Sequence, residues 1–122
     1  MKLHLANSDG NHLITGYDSG WVEINKQRYS NNLIVLPNQL IQDWKPTNFQ
    51  SIQAEDFEEI AALKPDVVLL GTGAQHQFIQ PKLCAALTKV GISLECMNTS
   101  AACRTYNILM AEGRNVAAML IV

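Results

Sequence analysis

The fold of this chain is decided by residues 97–114, which read MNTSAACRTYNILMAEGR. The segment lies between two short apolar segments that are typical of strands. Helical spacing collects its apolar side chains on one broad arc, formed by Ala102, Cys103, Tyr106, Leu109 and Met110. We therefore predict a largely buried helix over residues 100–112, closed by Gly113. Thr105 and Asn107 are short polar residues on this helix, so we expect each to have an internal hydrogen-bond partner.

The segments around this helix predict alternating strands and helices from residue 54 onward. Residues 66–70, which read DVVLL, form a continuous apolar run typical of a strand buried on both faces. Two further helices and two further strands are predicted over residues 54–63, 81–90, 92–97 and 115–122. This alternation indicates an α/β arrangement with a partly parallel sheet.

The N-terminal third predicts a β-meander. Its strands are expected over residues 1–5, 13–17, 21–25 and 27–36. Asn25-Lys26 is a turn signal, and Asn31-Asn32 is a candidate bulge within the last of these strands. No internal repeat or linker interrupts the chain, so we predict one domain over residues 1–122.

The composition excludes several classes of function. The chain is 48% hydrophobic and 16% charged, with a net charge of −2. It has no Lys/Arg cluster suited to a nucleic-acid backbone and no apolar run long enough for a membrane span. The N-terminus lacks a signal-peptide core and a basic transit helix, so we predict a cytoplasmic protein. The low share of charge leaves room for a homo-oligomer interface.

Two turns are expected to meet at the carboxyl ends of two neighbouring strands. Gly71-Thr72-Gly73 follows the buried strand, and Asn98-Thr99-Ser100 follows the next strand. Ligands of open α/β sheets collect beyond the carboxyl ends of the strands, and a helix N-terminus offers free N–H groups there. We therefore predict a pocket for a small anion or a carbonyl compound, with the lining residues Gly71, Thr72, Gly73, Thr99, Ser100 and Arg104.

Each of these lining residues also has a structural explanation. The glycines would permit a tight turn without contacting any ligand. Thr99 and Ser100 could be helix caps. Arg104 could form an ion pair with a glutamate of the same half of the chain, Glu95 or Glu112.

The cysteines and histidines show no metal-ligand spacing, so we predict no metal and no cofactor. Cys84 and Cys96 follow core patterns. Cys103 is a weak candidate for a nucleophile, because it lies in the first turn of a helix beside Arg104. The alternative is a buried structural thiol, which its place at the edge of the apolar arc favours. His76 follows the Gly-rich turn and could reach the same pocket.

Several motifs together resemble the signature of a known family. In chain order they are Gly71-Thr72-Gly73, Pro81, Gly91-Ile92, residues 95–99 (ECMNT), residues 102–107 (ACRTYN) and Glu112-Gly113-Arg114, with Gly16 and Tyr29-Ser30 fitting in the meander. The family is a small single-domain family of unknown function. It includes mitochondrial complex I assembly factor three and an adipogenesis-associated human protein.

The resemblance implies a three-layer α/β fold with a mixed, largely parallel central sheet whose last strand is antiparallel to the others. It implies no enzymatic activity. The assembly role of the mitochondrial member implies a protein-binding or assembly module, and it leaves the partner open. The residues themselves keep an alternative, a small-ligand-binding protein, or an enzyme with a reactive Cys103, that uses the pocket described above.

Overall fold

A computed structural model of the chain describes residues 11–122, so the strand predicted over residues 1–5 lies outside the described part. Within residues 11–122 the strands are β1 (Ile14–Asp18), β2 (Trp21–Ile24), β3 (Gln27–Tyr29), β4 (Leu33–Leu36), β5 (Gln39–Ile41), β6 (Val67–Gly71), β7 (Ser93–Met97) and β8 (Val116–Leu120). The helices are α1 (Ala54–Ala62), α2 (Ala85–Lys89) and α3 (Thr99–Ala111), and a short 3-10 turn covers Phe49–Ser51.

Strands β1 to β3 form an antiparallel meander, and the other five form a mixed sheet in the order β5-β4-β8-β6-β7. Strand β6 is parallel to both β7 and β8, whereas β4 is antiparallel to β8 and to β5. The prediction that the last strand is antiparallel to the others is therefore wrong. Helix α3 returns the chain to the end of the sheet at which β6 and β7 begin. Strand β8 therefore runs beside β6 in the same direction.

The five-stranded sheet is the middle of three layers, as the resemblance implies. Its strands send alternate side chains into two separate cores. In β6, Val67 and Leu69 belong to one core, and Val68 and Leu70 belong to the other. The first core also contains α3 and the meander, and the second contains α1 and α2. Strand β6 is buried along its whole length, which confirms the prediction for residues 66–70.

The long strand predicted over residues 27–36 is two strands in different sheets. Asn32 lies between them and contacts two distant segments. Its Nδ2 donates to the Pro46 carbonyl at 2.8 Å, and its Oδ1 accepts from the Val122 N–H at 2.7 Å. Because these bonds turn the backbone out of the meander, Asn31-Asn32 is a break between sheets and not a bulge.

The helix predicted over residues 81–90 is shorter, covering only Ala85–Lys89. The residues before it form tight turns, because Leu83 N–H donates to the Gln80 carbonyl and Cys84 N–H donates to the Pro81 carbonyl. Val90, at the end of the segment that was predicted to be helical, has 63% of its surface exposed.

Asn107 joins α3 to the meander. Its Nδ2 donates to the Ile14 carbonyl at 2.7 Å, and its Oδ1 accepts from the Ile14 N–H at 3.0 Å. Among the strands of residues 11–122, β1 pairs only with β2, and the Asn107 carboxamide bonds to its other side as a neighbouring strand would. The internal partner predicted for Asn107 is confirmed. Thr105 is part-buried, and within residues 11–122 its hydroxyl has no such partner.

We expect Asn107→Ala to lower the free energy of unfolding by about 1–3 kcal/mol, because it leaves a backbone donor and acceptor of Ile14 without partners. Thr105→Ala, on the same helix, is the control and should change it by less than about 0.5 kcal/mol. Urea denaturation followed by circular dichroism measures both values. Equal effects of the two substitutions would contradict the proposed link between helix and meander.

Candidate functional site

The Gly71–Gly73 turn and the start of α3 lie side by side at the carboxyl ends of β6 and β7. Thr72 N–H donates to the Met97 carbonyl at 2.9 Å, and Thr99 N–H donates to the Gly73 carbonyl at 2.9 Å. The Thr99 hydroxyl accepts from the Gly73 N–H at 2.8 Å and donates to the Ile121 carbonyl at 2.6 Å. One hydroxyl thus connects the ends of β6 and β8 to the first residue of α3.

The close approach of the two turns explains the glycines. A Cβ on Gly71 would lie 3.0 Å from the Thr99 Oγ1 and 3.1 Å from the Thr99 Cα. Gly73 has a φ of +100°, a backbone conformation that residues other than glycine rarely adopt. The backbone conformation at Gly73 therefore favours glycine, and a side chain at Gly71 would crowd Thr99.

The Thr72 hydroxyl is also engaged within the protein. It donates to the Gln75 carbonyl at 2.6 Å and accepts from the Gln77 N–H at 3.1 Å. Only 2% of the residue is exposed. Thr72 therefore fixes the loop that follows the turn, and its hydroxyl is not directed toward a ligand.

The N-terminus of α3 is capped by Asn98 and not by Thr99 or Ser100, so the capping alternative was assigned to the wrong residues. The Asn98 Oδ1 accepts from the Ala101 N–H at 2.8 Å and from the Ser100 hydroxyl at 3.0 Å. Ala102 N–H donates to the Asn98 carbonyl. Within the described chain, only Ser100 among the first four helical N–H groups lacks a protein acceptor. This helix end therefore offers an anion little more than one donor.

A cavity of about 400 Å³ opens beside this contact. Its walls are the β1–β2 turn over residues 17–20, residues 73–74, residues 99–100 and residues 121–122. Three of the six predicted lining residues, Gly73, Thr99 and Ser100, line it. Gly71 and Thr72 lie behind this wall. Binding of a ligand by these residues stays a prediction.

Arg104 lies beside the cavity without lining it. Its Nη1 donates to the Tyr17 hydroxyl at 3.2 Å, and Tyr17 is a wall residue. The alternative of an ion pair with Glu95 or Glu112 is wrong, since the one ion pair found within residues 11–122 joins Arg28 to Glu23 at 3.6 Å.

Sequence reasoning missed the wall that comes from the meander. The four residues are Tyr17, Asp18, Ser19 and Gly20. They were visible as a turn, but their position beside α3 depends on contacts made across most of the chain. Asp18 brings a carboxylate, whose Oδ1 accepts from the Ser19 N–H at 2.7 Å. The exposed Asp18 carboxylate and the Arg104 guanidinium bonded to Tyr17 bring both signs of charge to this side of the cavity.

His76 lies away from this cavity. Its ring packs on Phe78, with the ring centroids 4.4 Å apart, and both residues line a different groove beside β7. Cys84 and Cys96 line that groove too and are half-buried against the second core. The hypothesis that His76 reaches the pocket at the α3 terminus is therefore wrong.

Cys103 is fully buried in the first core. Burial raises the pKa of its thiol to about 12, although the charge of Arg104 acts in the opposite direction. At neutral pH the thiol stays protonated, which supports the structural alternative. Within residues 11–122, no group of three His, Cys, Asp or Glu side chains is arranged to hold a metal ion.

Residues 14–121 match the model of a family described as a protein of unknown function (DUF498/DUF598). The chain belongs to this family. Across 110 residues it is 34% identical to the bovine NADH dehydrogenase [ubiquinone] 1 alpha subcomplex assembly factor 3, which covers 88% of this chain. The chain spans only 59% of that relative's length. The resemblance to the family of this assembly factor is thereby confirmed.

Bacterial members of the family match more of their own length. The chain is 33% identical over 107 residues to the 13 kDa major membrane protein of Francisella tularensis, and the match covers 86% of each. A crystal structure of a Bordetella parapertussis protein superimposes with a TM-score of 0.85 at 36% identity, covering 91% of this chain and 95% of that one. Within residues 11–122, no helix has the length and apolar character needed to cross a bilayer.

We expect Cys103 to be alkylated by iodoacetamide at pH 7 no faster than the native structure opens, because a thiol with a pKa of about 12 is almost entirely protonated and has no solvent contact. Half-buried Cys84 in the same chain is the internal control and should react first. Peptide mass spectrometry of a time course measures both. Preferential labelling of Cys103 would restore the reactive-thiol hypothesis.

Proposed function

We propose that this chain is a non-enzymatic protein-binding module that helps to assemble a larger complex. The observation that carries the proposal is its 34% identity over 110 residues to an assembly factor of a respiratory NADH dehydrogenase. An NADH dehydrogenase complex is accordingly the candidate client, and the cytoplasmic location predicted from the sequence stays part of this proposal.

The chemistry of the α3 terminus supports a binding role over catalysis. A covalent mechanism needs a nucleophile within hydrogen-bond reach of a base. Among residues 11–122, the histidines are His12, whose Nδ1 lies 2.9 Å from the Leu36 carbonyl, and His76, which packs on Phe78. Neither lines the cavity, and the Cys103 thiol is buried and protonated. The side chains of Thr72, Asn98 and Thr99 at this helix terminus form hydrogen bonds with backbone groups of the protein.

Binding of a small ligand is the second candidate, and the cavity favours it. Its volume of about 400 Å³ falls within the range of small-molecule sites. Asp18, Tyr17 and Ser100 supply polar groups at its wall, so a small polar compound suits it. The sequence-based prediction of a small anion remains a hypothesis.

One experiment separates the two candidates. The tagged chain is purified at its native expression level under non-denaturing conditions and examined by native mass spectrometry, with the tag alone as control. We expect a protein partner in stoichiometric amount. Repeated recovery of the chain alone would contradict the assembly role. A small-molecule adduct that Asp18→Asn weakens would support the ligand-binding alternative instead.

A further inference from the structure

Two of the three cysteines of this chain lie in one groove. Cys84 immediately precedes α2, and Cys96 belongs to β7. Both line the groove beside β7, both are free and partly exposed, and both pack against the second core. The third cysteine, Cys103, is fully buried in the first core, on the other side of the central sheet. The fold therefore brings two accessible thiols together and keeps the third away from them.

The two thiols reach the same short segment of the chain. The Cys84 Sγ donates to the Pro81 carbonyl at 3.5 Å. Burial raises the pKa of the Cys96 thiol, while a hydrogen bond from the Ile79 backbone opposes this rise and the charge of Cys84 adds to it. Ile79 and Pro81 are two residues apart, a span of at most about 7 Å. The thiols are thus neighbours across one turn of backbone, which is why each senses the charge of the other.

One side of this pair is free of regular secondary structure. Residues 72–84, all of them described, form neither helix nor strand, whereas Cys96 is held by the ladder between β6 and β7. A disulfide needs two Cα atoms at most about 7 Å apart. A segment without ladder or helical hydrogen bonds can adjust to that distance at a lower cost than a strand can. The Cys84 side can therefore move to meet Cys96.

We propose that Cys84 and Cys96 are a redox-sensitive pair that closes to a disulfide by exchange with a small disulfide of the glutathione class. The Cys84 thiolate attacks one sulfur of oxidised glutathione, and the other sulfur leaves as a thiolate that takes up a proton. Cys96 then loses its proton and attacks the Cys84 sulfur of the mixed disulfide, which releases the second glutathione thiol. Two protein thiols are oxidised, and one glutathione disulfide is reduced to two thiols.

The order of the two attacks follows from burial. Because burial raises the pKa of the Cys96 thiol, its thiolate is scarce at neutral pH, and Cys84 takes the first attack. The closed pair joins the start of α2 to β7, and reduction releases it. In the cytoplasmic setting that the sequence predicts, the pair is reduced and closes when the glutathione pool becomes oxidised. This modification site is independent of the assembly function proposed above.

The test equilibrates the full chain with mixtures of reduced and oxidised glutathione, stops the exchange with acid and identifies the disulfides by peptide mass spectrometry. We expect one disulfide within the chain, linking Cys84 to Cys96, with Cys103 still a thiol. The glutathione ratio at half-closure gives the effective concentration of the pair. It should be at least about ten-fold higher in the native chain than in urea, because the fold holds the two thiols together.

Single substitutions separate the two steps. Cys96→Ser should stop at a mixed disulfide between Cys84 and glutathione. Cys84→Ser should gain glutathione at least about ten-fold more slowly, because the remaining Cys96 thiol is mostly protonated. Cys103→Ala is the matched control, since it removes the buried thiol and should close the pair as the unmodified chain does. Circular dichroism checks that each variant is folded.

The unmodified chain decides the proposal even where a variant fails to fold. The proposal is overturned if the native chain stops at mixed disulfides, or if the disulfide includes Cys103 or joins two chains. An effective concentration no higher in the native chain than in urea would also overturn it, because the two thiols would then meet only as residues close in sequence.

Discussion

The hydroxyl group of Thr99 is the contact on which the arrangement of the central sheet and α3 depends. It accepts from the Gly73 N–H and donates to the Ile121 carbonyl, so one side chain fixes the end of β6, the start of α3 and the end of β8. A side chain at Gly71 would crowd Thr99, because its Cβ would lie 3.0 Å from the Thr99 Oγ1. Asn107 then connects α3 to the meander, which completes the third layer.

This use of polar groups bears on function. In many α/β proteins the carboxyl ends of the strands hold the reactive groups. Here Thr72, Asn98 and Thr99 direct their side chains to backbone groups of the protein itself. The motifs shared with the family are thus explained largely by the fold. Exposed apolar surface lies elsewhere within residues 11–122, at Phe78, which packs on the His76 ring and has 80% of its surface exposed.

The sequence predicted the elements whose signals are local. The apolar run of β6 and the periodicity of α3 were sufficient, because burial on both faces and a helical arc are visible within a few residues. The break at Asn32 was missed because its partners, Pro46 and Val122, are distant in sequence. Part of the cavity wall was missed for the same reason. Its wall at Asp18 is placed by a contact between Ile14 and Asn107, 93 residues apart.

The most direct test of this account is the free energy of unfolding of Thr99→Val, which keeps the shape of the side chain and removes the hydroxyl. The Gly73 N–H and the Ile121 carbonyl would lose their partner, so we expect a loss of about 1–3 kcal/mol. Thr99→Ser keeps the hydroxyl and should stay within about 1 kcal/mol of the unmodified chain. If Thr99→Val is as stable as the unmodified chain, the hydroxyl does not hold the three segments together, and a functional role for Thr99 would have to be reconsidered.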